Sequence, residues 1–146
     1  MRALLLTLHV LGACVWTGGH LVLAITALPR ALARRDPRIL TAFEEPFERI
    51  GIPALIVQVL TGVWLASQFV PVNRWLAFES DLEVRIGTKL LLLGLTVALA
   101  LHARLRLIPG LDNPSLRLLA AHIVIVTGLA VALVIVGVSF RTGALF

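Results

Sequence analysis

Four histidines, His9, His20, His102 and His122, lie inside the apolar stretches of this chain, and few other side chains there can hold a metal. Ionisable residues within a bilayer are costly and by default mark a functional site. Sulfur ligands are nearly absent, with one cysteine (Cys14) and one methionine (Met1). Imidazole remains, and it suits haem iron, copper or zinc. Each histidine has a plainer reading beside the chemical one. His9 could be a core histidine donating to a backbone carbonyl, and His102, followed by Arg104 and Arg106, could sit among lipid headgroups. His20 and His122 are deeper, where a purely structural role is harder to sustain.

The elements that position these residues follow from composition. The chain has 146 residues, 59% hydrophobic and 14% charged, with a mean hydropathy of +0.98, whereas a soluble domain carries roughly 25% charged residues. We expect one all-α integral membrane domain over residues 1–146. Four stretches, 4–28, 50–70, 86–107 and 116–139, reach the ~20 residues that cross a hydrocarbon core. Backbone groups in lipid must be satisfied internally, so each is a helix, giving an up-and-down four-helix transmembrane bundle. The first stretch is too long for a signal peptide's apolar region and reads as a retained span. Pro29, Pro71 and Pro109 fall where the first three helices should stop, and Pro53 falls in the first turn of the second.

The formal net charge of +5 is carried by arginines flanking spans, with no soluble basic patch that would suggest nucleic acid. The two connections on one side hold Arg30, Arg34, Arg35, Arg38, Arg49, Arg104, Arg106 and Arg117, against Arg2, Arg74, Arg85, Lys89 and Arg141 on the other. That bias places the arginine-rich loops in the cytoplasm and both termini outside. The outer connection, about 71–85, contains Trp75, Phe78, Glu79, Asp81 and Glu83 and could form a short interfacial helix. The glycines spread through the spans read mainly as packing, with room for a flat macrocycle as the alternative.

On an ideal helix His9, Trp16 and His20 share one face, with His9 and His20 about 16 Å apart along the axis. Following the up-and-down path, His20, His102 and His122 fall at a similar inner depth. His9 is in the outer half, and its nearest depth-matched polar partner is Lys89, which could also snorkel outward. Trp16, Trp64 and Trp75 read as packing or interface residues, and Cys14 as inert. Gln58 and Thr61 are one turn apart and could hydrogen-bond within the bundle, while Thr96 and Thr127 read as helix back-bonders. Glu44, Glu45 and Glu48 should pair with nearby arginines. No G-x-S-x-G, H-E-x-x-H, phosphate loop or cysteine pair is present, so hydrolase and nucleotide chemistry lack support.

Several short motifs carry a family resemblance. Leu8-His9, Val15-Trp16-Thr17-Gly18-Gly19, Leu28-Pro29-Arg30, Leu60-Thr61-Gly62, Gly87-Thr88-Lys89-Leu90-Leu91, Val136-Gly137-Val138 and Arg141-Thr142-Gly143 resemble segments of the CopD (copper-resistance D) membrane family. His9, Trp16 and Lys89 are also similar to residues of the related HemJ family of protoporphyrinogen oxidases. The resemblance implies a bacterial inner-membrane protein that either handles copper or holds haem b.

Residue chemistry favours haem b, since copper(I) conduits use thioether and thiolate ligands that this chain lacks. On that reading His20 pairs axially with His122 or His102, and a second haem would use His9 with Lys89. A quinone or a redox protein would be the partner, and the small span set suggests a homodimer. The second reading is a copper carrier with His20, His102 and His122 as a three-imidazole site. A porphyrinogen oxidase dependent on His9 and Lys89, and a structural subunit without cofactor, are the remaining alternatives.

Overall fold

The computed structural model describes residues 1–109 and 113–143, and every regular element among them is helical. Four helices carry windows apolar enough to cross a bilayer: α1 (Arg2–Arg34), α2 (Arg38–Ser67), α3 (Asp81–Leu107) and α4 (Asn113–Thr142). They are 27 to 33 residues long, so all project past a core that ~20 residues already span.

The helices overrun the apolar stretches because lipid sets the minimum length of a span and not its ends. The expected stop at Pro29 does not occur. Residues Leu23–Ala27 form a π-helical turn, and the chain continues as α-helix from Leu28 to Arg34. Proline cannot donate to the preceding turn and its ring crowds it; the wider π turn lies where that crowding falls. The helix closes instead at Arg35, in the left-handed region at φ 50°, with the Asp36 N–H donating to the Ala31 carbonyl at 3.1 Å.

Helix α2 begins at Arg38 rather than near residue 50. Glu44, Glu45 and Glu48 therefore lie on the helix, and both Pro46 and Pro53 are interior to it. Helix α3 begins five residues before the apolar stretch, on a capping box. The Glu83 N–H donates to Ser80 Oγ (3.4 Å), and Glu83 Oε2 accepts from the N–H of Ser80 (3.2 Å) and of Glu79 (2.9 Å).

That early start leaves no room for an interfacial helix in the outer connection, which holds only the 3-10 turn Val72–Arg74. Trp75 is buried rather than at headgroup level, its Nε1–H donating to the Val70 carbonyl at 2.9 Å, and it packs with Val70 and Ile86.

Helix α1 packs most extensively on α2, α3 packs on α4, and a smaller α1–α4 contact joins the two hairpins, while α2 and α3 scarcely meet. The spatial order is α2–α1–α4–α3, an open bundle bridged across the α2–α3 gap by Arg104 Nη1 and Glu48 Oε1 at 2.6 Å. The core has three layers: Val70, Trp75 and Ile86 near the termini, Trp16, Val126 and Ala130 at mid-depth, and a larger cluster around Leu23, Leu40, Leu119 and Ile123 at the arginine-rich end. Thr96 and Thr127 donate to the carbonyls one turn back, as expected.

Candidate metal centre and polar seam

The arginine-rich end brings two imidazoles together. His122, buried on α4, has Nδ1 2.9 Å from the Leu118 carbonyl oxygen. A carbonyl only accepts, so Nδ1 carries the proton and Nε2 a lone pair. That Nε2 lies 2.9 Å from Nδ1 of His102, at the end of α3. His102 must therefore donate through Nδ1, leaving a lone pair on its own outer nitrogen. The rings stack at 5.0 Å between centroids and 23° between planes, and His102 is exposed. The π turn Ala103–Leu107 follows His102 directly.

His20 shares neither the level nor the face of this pair: its carbonyl accepts from Thr127, five residues further along α4 than His122. Its Nδ1–H donates to the Trp16 carbonyl at 2.9 Å, and its ring lies 4.4 Å from Trp16 and 5.6 Å, edge-on, from Phe47. It looks toward α2, whereas His102 and His122 sit between α3 and α4. Among the described residues no group of three His, Cys, Asp or Glu side chains is placed to hold a metal. The three-imidazole cluster that depth alone suggests is thus a pair with a third histidine on another helix face.

His9 lies near the terminal end. Its Nδ1–H donates to the Gln58 carbonyl at 2.8 Å, with Thr61 Oγ1 at 3.2 Å. The Thr61 hydroxyl donates to the Val57 carbonyl (2.6 Å), so its oxygen is free to accept from His9. Gly62 makes room for the ring, since a Cβ there would stand 2.8 Å from His9 Cε1. Lys89 of α3 acts electrostatically on His9. It does not snorkel: it is half-buried, its Nζ 5.8 Å from the Phe140 ring centroid, with no hydrogen bond or ion pair among the described residues.

The stripe His9–Trp16–His20 meets α2 at His9 and His20, while Trp16 packs mainly on Val126 and Ala130 of α4. Gly12 meets Ala54 and Gln58 on that helix, and Phe47 fills the space beside Gly19. Among the described residues, Trp16 Nε1, Gln58 Oε1 and Glu44 Oε2 are buried side-chain atoms without a hydrogen-bond partner. On an ideal helix Glu44, Phe47, Gly51, Ala54, Gln58 and Gly62 fall within about 40° of one face, so the Glu44 and Gln58 orphans line one seam. An unsatisfied buried polar group costs about 1–3 kcal/mol. Sequence reasoning assigned Gln58 a bundle hydrogen bond but did not group it with Glu44; this α2 periodicity was the available signal. Glu48 and Glu45 do pair with Arg104 and Arg49, while Glu44 pairs with neither.

A bis-imidazole haem needs two nitrogens on opposite sides of a macrocycle, about 4 Å apart for metal–nitrogen bonds of about 2.0 Å. His102 and His122 touch and stack, so no porphyrin plane passes between them, and His20 packs on Trp16 and Phe47 instead of facing either. The expected axial pairing of His20 with His102 or His122 therefore does not fit a haem, because the His20 ring packs on Trp16 and Phe47.

The family described as Copper resistance protein D matches residues 41–140. That is well over half of the chain, and it contains His102, His122 and Lys89 but not His9 or His20. No curated protein and no solved structure matches.

Proposed function

The chain belongs to the copper resistance protein D family, and on that footing we propose that it carries copper at the membrane, with His102 and His122 as the ion's ligands. The observation that carries this reading is the contact itself, two imidazole nitrogens 2.9 Å apart at the end of a membrane-spanning bundle. Imidazole is a good copper ligand, and both residues fall within the matched region.

The surroundings give the two residues different tasks. The Leu118 carbonyl fixes the His122 tautomer and aims its Nε2 lone pair at the site, the usual task of a second partner behind a metal-binding histidine. His102 holds its proton on the nitrogen facing His122. Moving that proton to its outer nitrogen frees a second lone pair toward the ion without changing the ring's charge. Because His102 is exposed, an ion can reach the pair from outside the bundle. Two protein ligands hold an ion less firmly than a closed four-ligand cage, which suits hand-over rather than storage.

The arginine bias supports a cytoplasmic position for this end of the bundle in a bacterial inner membrane, where copper would be received or released. Haem b, with a quinone or redox protein as partner, is the weaker reading because His20 packs on Trp16 and Phe47 rather than facing His102 or His122. A homodimer is compatible with either reading.

The test is metal binding by the purified full chain, with anaerobic copper(I) titrated against a chromophoric competitor. Stoichiometric binding, lost in His102→Ala and in His122→Ala but kept in His20→Ala, is the expected result. Copper retained by the His102/His122 double variant, or a Soret band in protein from haem-replete cells, would overturn it.

A further inference from the structure

We propose that the terminal end of the α3–α4 hairpin binds the headgroup of phosphatidylethanolamine, with Arg85 on its phosphate and Asp81 on its ammonium. Arg85 directly precedes the apolar stretch of α3, and arginines at that level ordinarily reach outward to water. This one does not, being only 8% exposed. Its Nη2 donates to the Gly143 carbonyl at 2.5 Å, and it forms no ion pair with an acid among the described residues. Glu79 and Glu83, the acids nearest in sequence after Asp81, both take Arg74. A buried charge met only by a carbonyl dipole is costly until an anion joins it.

The backbone prepares a place for that anion. Gly143 follows the last turn of α4 at φ 77°, a conformation that glycine adopts at little steric cost. Its N–H closes the helix on the Ser139 carbonyl at 3.0 Å, and its own carbonyl meets Arg85. On α3, Asp81, Val84 and Arg85 are spaced i, i+3, i+4 and share one face. With Gly143 they line an open cavity of about 190 Å³, room for several waters at about 30 Å³ each.

The lining selects the ligand. A guanidinium presents five N–H donors in a planar fork that matches phosphate oxygens, and only one bond is spent on Gly143. The exposed Asp81 carboxylate, one turn away, repels a purely anionic headgroup but accepts from a primary ammonium. A phosphodiester carrying an ammonium on a short arm satisfies both charges and leaves the site neutral. Phosphatidylglycerol brings no cation, and the quaternary nitrogen of phosphatidylcholine has no N–H to donate. The cavity lies where the apolar run of α3 begins, which is the level of lipid headgroups. It is at the opposite end of α3 from His102, so it stands apart from the copper reading.

The test is native mass spectrometry of the full chain released from detergent micelles that hold phosphatidylethanolamine, phosphatidylglycerol and phosphatidylcholine in equal amounts with matched acyl chains. Retained phosphatidylethanolamine is expected to exceed either other lipid by about tenfold, the scale of one charge-assisted hydrogen bond. Asp81→Asn changes an exposed side chain and leaves the Ser80–Glu83 capping box in place; it should keep a bound lipid and lose the preference. Arg85→Lys keeps the charge without the fork and should weaken retention of all three. Water-soluble glycerophosphoethanolamine should displace the lipid, and inorganic phosphate should not. Equal retention of the three lipids by the unmodified chain, a preference that survives in Asp81→Asn, or displacement by inorganic phosphate as readily as by glycerophosphoethanolamine would overturn the proposal.

Discussion

Gly12→Ala offers a direct measure of how closely α1 and α2 approach. A Cβ at Gly12 would stand 2.8 Å from the Ala54 carbonyl oxygen and 3.0 Å from Gln58 Cβ. The first neighbour is backbone and cannot swing aside, so the helices must part by about 0.5 Å to restore a normal carbon contact. Overpacking of this kind costs about 1–3 kcal/mol, and alanine returns up to about 1 kcal/mol through its helix propensity. Gly18→Ala on the same helix isolates the steric part, because nothing lies within 4 Å of its Cβ position. Propensity cancels between the two variants, so Gly12→Ala should be about 1–3 kcal/mol less stable than Gly18→Ala. Reversible unfolding in mixed detergent micelles, followed by far-ultraviolet circular dichroism, reads the difference. A Gly12→Ala protein as stable as Gly18→Ala would refute the close seam and the placement of α1 against α2.

Other variants probe other parts of the structure. Ser80→Ala removes the capping box of α3 and should cost about 1 kcal/mol in the same assay. Glu83→Gln should destabilise the protein more than Glu79→Gln, because its carboxylate meets Arg74 Nε at 2.7 Å and accepts from two backbone N–H groups. Glu79→Gln should cost under about 1 kcal/mol, since its side chain is 70% exposed although it also meets Arg74 at 2.7 Å; equal costs for these two would contradict the burial pattern. Lys89→Met should leave stability unchanged or raised, because the cation–π contact with Phe140 is worth only about 0.5–1 kcal/mol and no anion among the described residues pairs with the charge. A marked loss of stability in Lys89→Met would show that the lysine has a structural partner.

Much of the architecture was legible because lipid imposes it. Four apolar stretches could only be helices, and their alternating direction brought His102 and His122 to one end of the bundle. The helix ends were not legible from hydropathy, since charged turns of α1, α2 and α3 project where lipid sets no requirement. Pro29 and Pro53 read as boundaries from their local chemistry, but a π turn and the tolerance of membrane helices for interior proline set them inside. The start of α3 was encoded in Ser80-x-x-Glu83, a signal that the apolar pattern overshadowed.

The candidate site divides the same way. The proximity of His9 to Lys89 follows from depth, whereas its hydrogen bonds to the Gln58 carbonyl and Thr61 depend on which face of α1 meets α2. The contact of His102 with His122, excluding His20, depends on which face of α1 meets α2. That is decided by Gly12 and Gly19 admitting close neighbours, and single-helix geometry does not contain it.

The order α2–α1–α4–α3 also bears on how the chain is assembled during synthesis. The most extensive interface joins α1 to α2, and both partners have been translated once Ser67 is made, well before α4 exists. Chains are synthesised at about 5–20 residues per second and fold from the N-terminus, so the first hairpin has seconds to settle as an independent unit. The second hairpin then docks through the smaller α1–α4 contact, and Arg104 reaches Glu48 only after that. The His102–His122 pair, made wholly by α3 and α4, forms with the second hairpin, so the proposed copper site does not exist until α4 has been inserted.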